Sequence, residues 1–140
     1  MIKKKDVVIM RIPFPEINSY LAKVGHMYFC LESKHPKKFI KCQTANVCRM
    51  EFNRPPYKFV IVMPDIRHSP FIKPTLLDCD KFFSMDKNIA ISEVLLTTRR
   101  RDISEELFGK LEDAIKHDEF KEIVLDAIVV VQLNDRIELM

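Results

Sequence analysis

Short apolar runs separated by prolines and polar residues fill the first hundred or so positions, and this pattern restricts the fold more than any other feature. The chain has 8 prolines and only 2 glycines, so prolines mark many of the breaks. Short runs at fairly regular spacing are typical of a small barrel or a sandwich-like sheet. We predict strands at 6–12, 26–32, 39–44, 75–83 and 90–96, with 59–63 either a further short strand or part of an insertion.

The segments between these runs differ in character. Residues 34–38 form a link short enough for a hairpin between the second and third predicted strands. Residues 16–23 are interpreted as a polar loop, and 46–57, which contain a Pro-Pro pair, as irregular.

The last third of the chain has the pattern of a helix. Asp102 and Glu105 have the spacing of a capping box. Apolar residues then recur at every fourth position: Ile103, Leu107, Leu111 and Ile115. This stripe predicts an amphipathic helix over 102–117. Residues 119–133 fit a second helix, although the β-branched residues from 128 onwards fit a strand as well.

Together these elements predict one domain over residues 1–140, mostly β with a C-terminal helix, which is an α+β fold. A β barrel would span 5–100 and contain a loop insertion at 46–74. The helix at 102–117 would pack on the barrel, and 119–133 would follow as a helix or strand. A chain of 140 residues is long enough to bury roughly two thirds of its unfolded surface.

The composition predicts a soluble protein. Hydrophobic residues make up 47% of the chain and charged residues 31%, which argues against disorder, and the net charge is only +3. We see no signal peptide and no apolar run long enough to span a bilayer, so we predict a cytoplasmic protein without a membrane partner. Four cysteines lack metal-site spacing and are interpreted as reduced and mostly buried: Cys30, Cys42, Cys48 and Cys79.

The main candidate site combines the end of the third predicted strand with the start of the second. Lys41, Gln43 and Thr44 end one run, and His26 begins the other after Gly25. A histidine suits proton transfer near neutral pH, and an ammonium or hydroxyl suits the charge of a phosphodiester under attack. On an ideal strand Lys41 and Gln43 share one face and Thr44 lies on the other. All four residues also fit ordinary roles at strand ends.

Two further segments are candidates for binding a phosphate backbone. Thr97, Thr98, Arg99 and Arg100 precede the predicted helix, whose N-terminus would favour an anion. The alternative is that an arginine of this segment pairs with a helix carboxylate while the others are solvated. His68 and Ser69 lie in a loop that could supply a second polar group, and three aromatic residues could stack bases or pack in the core: Tyr28, Tyr57 and Phe71.

Three segments occur in an order that is similar to one known family. Residues 5–15, KDVVIMRIPFP, resemble an opening strand G-D-V-V-x-V-x-F-P-F, with Lys5 in place of the usual glycine. Residues 78–87, DCDKFFSMDK, resemble x-D-K-L-x-x-x-D-K, and 103–115 resemble the helix L-x-x-E-x-x-x-x-V-x-x-A-L. Over residues 5–117 the chain resembles the MazF/PemK ribonuclease toxins of type II toxin-antitoxin systems.

This resemblance implies an SH3-like barrel that forms a homodimer and is neutralised by a cognate antitoxin. It implies metal-independent, cofactor-free, sequence-specific cleavage of single-stranded mRNA by 2′-OH attack. The family's hydroxyl position corresponds to Thr44. Its arginine, in an R-P-x-x-V motif, corresponds to His26, and the Arg-Pro pair is absent here. His26 or Lys41 would have to replace that arginine. The alternatives are an RNA-binding barrel without catalysis and a protein-interaction domain.

Overall fold

A computed structural model describes residues 1–45 and 55–140. The described residues form short strands and a few short helices, which confirms the mostly β, α+β class. The strands are β1 (Val7–Met10), β2 (His26–Glu32), β3 (Lys38–Thr44), β4 (Phe59–Val62), β5 (Thr75–Asp78), β6 (Lys81–Met85), β7 (Ile89–Ile91), β8 (Lys121–Leu125) and β9 (Ile137–Leu139). The helices are α1 (Tyr20–Lys23), α2 (Glu105–Ala114) and α3 (Ala127–Leu133), with a 3-10 turn at Glu93–Leu95.

The larger sheet of the described chain branches at β3. Its path runs β1-β2-β3-β5-β4, all antiparallel, and the predicted hairpin between β2 and β3 is confirmed. Lys38 and Phe39 at the start of β3 pair with β6, whereas Cys42–Thr44 at its end pair with β5. One edge of β3 is therefore shared by two strands. Strand β8 extends the sheet in parallel on β6, and β7 and β9 form a separate pair.

Two apolar cores lie on opposite faces of this sheet, because side chains alternate along each strand. Tyr28 of β2 belongs to one core, which includes residues of α1, α3, β6 and β7. Phe29, the next residue, belongs to the other, which includes Leu107, Phe108 and Leu111 of α2. Tyr28 and Phe29 are both fully buried. Helix α2 therefore packs as the apolar stripe predicts.

The start of α2 differs from the predicted capping box. The N-cap is Ser104, whose hydroxyl accepts a hydrogen bond from the Leu107 amide at 3.2 Å. Asp102 instead accepts a bond from Arg100 Nε at 2.9 Å. Ser is as good an N-cap as Asp, and the arginine two residues before Asp102 competes for its carboxylate. The helix covers Glu105–Ala114, which is shorter than the predicted 102–117.

The C-terminal segment combines both structures predicted for 119–133, but in the reverse order. Residues Lys121–Leu125 form a strand, and the β-branched residues that follow lie in helix α3. The Asp126 carboxylate caps this helix, accepting bonds from the Ile128 and Val129 amides at 3.0 and 3.4 Å. Burial of Ala127 and Val130 against the first core then outweighs the low helix propensity of valine and isoleucine.

Three other predictions are corrected. Residues 16–23 are not entirely a loop, because α1 occupies Tyr20–Lys23. The strand predicted at 75–83 is broken between β5 and β6, where the Asp78 carboxylate accepts bonds from the Asp80 amide and Lys81 Nζ, both at 2.8 Å. The strand predicted at 90–96 ends at Ile91, because the Ser92 hydroxyl accepts from the Val94 amide and begins the 3-10 turn. Most of the segment predicted to be irregular, 46–57, lies outside the described residues.

Lys5 has a backbone conformation that favours glycine, with φ at 79°. A Cβ in this left-handed region costs about 1 kcal/mol. We therefore expect Lys5→Gly to have a free energy of unfolding about 1 kcal/mol above that of Lys5→Ala, measured by urea denaturation. Lys5→Ala is the matched control because it also removes the ion pair to the exposed Glu105. Equal stability of the two variants would contradict backbone strain at this position.

The Tyr28 hydroxyl is buried without a hydrogen-bond partner among the described residues. Burial, and secondarily the Cys42 thiol, raise the pKa of this phenol, so it stays protonated. Because a buried unpaired hydroxyl costs about 1–3 kcal/mol, we expect Tyr28→Phe to raise the free energy of unfolding by about 1 kcal/mol. Tyr57→Phe, at a residue that is 60% exposed, should change it little. A destabilised Tyr28→Phe would mean that an ordered water satisfies the hydroxyl.

Candidate active site

A pocket of about 390 Å³ lies where β2 begins and β3 ends. It brings together four predicted site residues, which are His26, Lys41, Gln43 and Thr44. The rest of its wall comes from β1, α1 and the neighbouring parts of both strands: Ile9, Tyr20, Leu21, Gly25, Met27 and Cys42. Residues 15 or more positions apart in sequence therefore meet in one concavity.

The register of the β2–β3 ladder explains this meeting. Met27 pairs with Cys42 and Tyr28 with Lys41, so one step further along the antiparallel ladder His26 lies across from Gln43. Alternation places Lys41 and Gln43 on the face of Tyr28, as predicted. Thr44 pairs with Thr75 of β5 and keeps the opposite face, but it is exposed at the strand end and contributes to the pocket wall from there.

His26 is held in one orientation. Its Nδ1 lies 2.8 Å from the Val24 carbonyl oxygen. A carbonyl can only accept, so Nδ1 carries a proton, and in the neutral ring Nε2 is the nitrogen able to accept one. The ring also meets Tyr20 nearly at right angles, with centroids 4.9 Å apart. In its neutral form, the His26 ring can therefore accept a proton at Nε2.

Gly25 brings the backbone before His26 close to β1. A Cβ at this position would lie 3.0 Å from Cγ2 of Ile9, a residue of the pocket wall. The absence of a side chain therefore lets the start of β2 approach β1.

The cysteine in the pocket wall is not a nucleophile. Cys42 is buried, and burial raises the pKa of its thiol well above the usual range. Only the thiolate attacks, so a protonated thiol is inert here. Cys30 and Cys79 are also free and buried, and burial raises the pKa of each thiol to about 12. The predicted burial is therefore confirmed for these three cysteines. Cys48 lies outside the described residues.

A second pocket of about 480 Å³ adjoins the first, and the two share Ile9 and Met27 as wall residues. Its wall is mostly apolar, with Phe71 and Leu95 among its members, and one end carries three of the predicted phosphate-binding residues: Thr97, Thr98 and Arg99. The two predicted clusters are thus neighbours on one surface, separated by Ile9 and Met27.

Two of the predicted phosphate-binding residues already use their side chains in hydrogen bonds within the protein. Arg100 donates from Nε to Asp102 and from Nη1 to the Ile66 carbonyl at 3.1 Å. The Thr97 hydroxyl donates to the Arg100 carbonyl at 2.6 Å. Both side chains therefore hold the turn together. Thr98 and Arg99 are exposed, and neither side chain has a hydrogen-bond or ion-pair partner within the described chain.

His68 and Ser69 do not line the pocket of His26. His68 Nδ1 lies 2.9 Å from the Ser104 hydroxyl, and its carbonyl accepts from the Ser104 amide at 2.8 Å. Ser69 is 1% exposed, so it cannot contact a ligand. His68 lines a separate pocket of about 280 Å³ beside Glu106 of α2. The structure gives this loop an anchoring role at the start of α2 and does not join it to the pocket of His26.

None of the three aromatic residues predicted to stack bases lines the pocket of His26. Tyr28 and Phe71 are buried, whereas Tyr57 lines a different pocket with Lys58 and Asp80. Tyr20 is not among the residues predicted from the sequence, because the sequence predicts a polar loop over 16–23. Ser19 followed by the apolar Leu21-Ala22 pair is the pattern that could have indicated a helical turn at this point.

The part of the chain that the structure describes contains no group of three or more histidine, cysteine or acidic residues able to hold a metal ion. None of its helices is long and apolar enough to cross a membrane. No protein-family model matches the chain, and no curated protein matches it significantly. The sequence motifs and the pocket are therefore the basis for assigning a function.

Proposed function

We propose that this protein is a metal-independent, sequence-specific endoribonuclease of the MazF/PemK type, which cleaves single-stranded RNA and is neutralised by an antitoxin. The observation that carries the proposal is the pocket in which His26 lies beside Lys41, Gln43 and Thr44. These residues provide a proton acceptor, a cation, an amide and a hydroxyl. They suffice for an attack of the RNA's own 2′-OH on the adjacent phosphorus.

In the proposed reaction, O2′ forms a bond to phosphorus and the bond from phosphorus to O5′ breaks. The proton of the 2′-OH passes to Nε2 of His26, whose Nδ1 stays bonded to the Val24 carbonyl. The Lys41 ammonium stabilises the charge on the phosphorane oxygens. The leaving O5′ takes a proton from the imidazolium or from water, leaving a 2′,3′-cyclic phosphate on one product and a 5′-hydroxyl on the other.

Two features of the fold support the resemblance. Lys5 stands where the family has glycine, and its φ of 79° is a conformation that glycine adopts without strain. The division of one edge of β3 between β5 and β6 is compatible with the bent strands of an SH3-like barrel. The resemblance also implies that barrel type, a homodimer and a cytoplasmic location, and we include them in the proposal.

A non-catalytic RNA-binding barrel is the second candidate. It is favoured by the missing Arg-Pro pair and by the presence of only one histidine among the described residues of the pocket wall. Such a protein would use Lys41 and the neighbouring Arg99 to bind the phosphate backbone without assembling both an acid and a base.

Incubation of the purified protein with end-labelled single-stranded RNA in EDTA tests the proposal. We expect fragments that end in a 2′,3′-cyclic phosphate, and no cleavage of the same sequence made with 2′-O-methyl groups. Binding that weakens with salt but leaves the RNA intact would support the second candidate instead. Neither binding nor cleavage would reject both and favour a protein-interaction domain.

A further inference from the structure

We propose that Tyr20 and Gln43 form a nucleobase subsite beside His26, in which a base of single-stranded RNA stacks on the Tyr20 ring and its edge bonds the Gln43 amide. This inference rests on the proposed function, because it places the nucleotide next to the bond that His26 would help to cleave. It assigns a role to the most exposed aromatic side chain of the pocket wall.

Tyr20 is held in place by its neighbours in sequence. Leu21 and Ala22 are only 9% and 3% exposed, and Leu21 attaches α1 to the first core. The Ile12 amide donates to the Leu21 carbonyl at 3.0 Å, and the Val24 amide donates to the Tyr20 carbonyl at 3.1 Å. With the turn anchored in this way, Tyr20 remains 68% exposed. Its exposure is thus a fixed property of the pocket rim.

The Tyr20 ring has a free face. It meets His26 at an interplanar angle of 76° with centroids 4.9 Å apart, which is an edge-to-face contact. Such a contact involves at most one face of the Tyr20 ring. Because Tyr20 is 68% exposed, we infer that the other face is accessible to a ligand. A planar base is the component of RNA that covers such a face, because every base has a π surface.

Gln43 adds hydrogen bonds to this stacking surface. Its amide offers both a donor and an acceptor, which is the combination that matches the edge of a base. Gln43 lies across the β2–β3 ladder from His26, on the same face of β3 as Lys41. The pocket volume of about 390 Å³ is within the usual range for sites that bind small groups. The base would then face Tyr20 and Gln43. The ribose would face His26, and the phosphate would face Lys41.

The chain has no tryptophan, which allows a direct test of stacking. In Tyr20→Trp the only tryptophan would lie in the proposed subsite, and we expect its fluorescence to be quenched as ten-nucleotide oligo(A), oligo(C) or oligo(U) RNA is added. Tyr57→Trp is the matched control, since Tyr57 is also well exposed but lines another pocket. Its fluorescence should not change. The proposal would be overturned if RNA quenched the fluorescence of Tyr57→Trp alone. It would also be overturned if an RNA that binds quenched the fluorescence of neither variant.

Affinity provides a second measurement. We expect Tyr20→Ala to weaken binding of the best of these RNAs by about 5- to 150-fold, the range for one stacked base, and Tyr20→Phe to stay within about twofold of wild type. Tyr20→Ala should also lose the difference in affinity between an RNA with a base and one that is abasic at the cleaved position. If wild type cleaves RNA and Tyr20→Ala binds it equally well, the subsite is rejected while the proposed function stands. If wild type neither binds nor cleaves RNA, both fail.

Discussion

Replacement of His26 by alanine is expected to slow RNA cleavage by about 10²- to 10⁴-fold, the usual contribution of a general base. The physical reason is the Nδ1 bond to the Val24 carbonyl, which leaves Nε2 of the neutral ring as the proton acceptor in the pocket. The measurement is the single-turnover rate of purified His26→Ala in EDTA. RNA affinity should change much less, because Lys41 and the neighbouring surface remain.

The matched control for this experiment is His35→Ala, which removes an exposed histidine remote from the pocket wall. It should cleave RNA at the wild-type rate. Equal rates for His26→Ala and wild type would show that another group removes the proton, while RNA cleavage itself would still stand. Circular dichroism of both variants separates a loss of chemistry from a loss of folding.

The second large effect is expected at Arg101, whose side chain binds a buried carboxylate. Asp6 has a side chain only 3% exposed, and it accepts bonds from Arg101 Nε and Nη2 at 3.0 and 2.7 Å. Without the arginine, the buried carboxylate keeps one hydrogen-bond donor among the residues that the structure describes, which is the backbone amide of Lys3. We expect Arg101→Ala to lower the free energy of unfolding by about 3 kcal/mol, since an uncompensated buried charge is costly.

The comparison with Asp6→Ala makes this prediction specific. The Arg101 side chain is 39% exposed, so without Asp6 it can turn to water. Asp6→Ala should therefore be less destabilising than Arg101→Ala. The double variant should lose less free energy of unfolding than the two single variants lose together. Arg99→Ala, at the exposed neighbour, should stay within about 0.5 kcal/mol of wild type in the same urea titration. A small effect of Arg101→Ala would mean that Asp6 finds other donors or a proton.

Three adjacent arginines show why the sequence indicates a basic segment but not the use of each side chain. Arg100 and Arg101 bind Asp102 and Asp6, whereas Arg99, alone of these three, is exposed and has no partner within the described residues. Asp6 is 95 positions away from Arg101. Partners at that separation follow from tertiary packing, which periodicity and local motifs do not contain.

The fold shows the same division between local and distant information. Strands β2 and β3 and helix α2 were predictable because apolar alternation and an apolar stripe at helical spacing are local patterns. The order of β8 and α3 was not, because it depends on the parallel pairing of β8 with β6. In the candidate site, the meeting of His26 with Gln43 could be predicted from the hairpin, whereas Tyr20 required knowing that α1 is anchored on the core.

The branching of the sheet at β3 has a consequence for binding energetics. Strand β3 is hydrogen-bonded to β2 along one edge and to β5 or β6 along much of the other, and β2 is bonded to β1 as well. The backbones that carry His26, Lys41 and Gln43 are therefore already ordered before any ligand arrives. A ligand entering this pocket would lose little free energy to conformational entropy of the main chain, so that more of its contact energy remains as affinity or transition-state stabilisation.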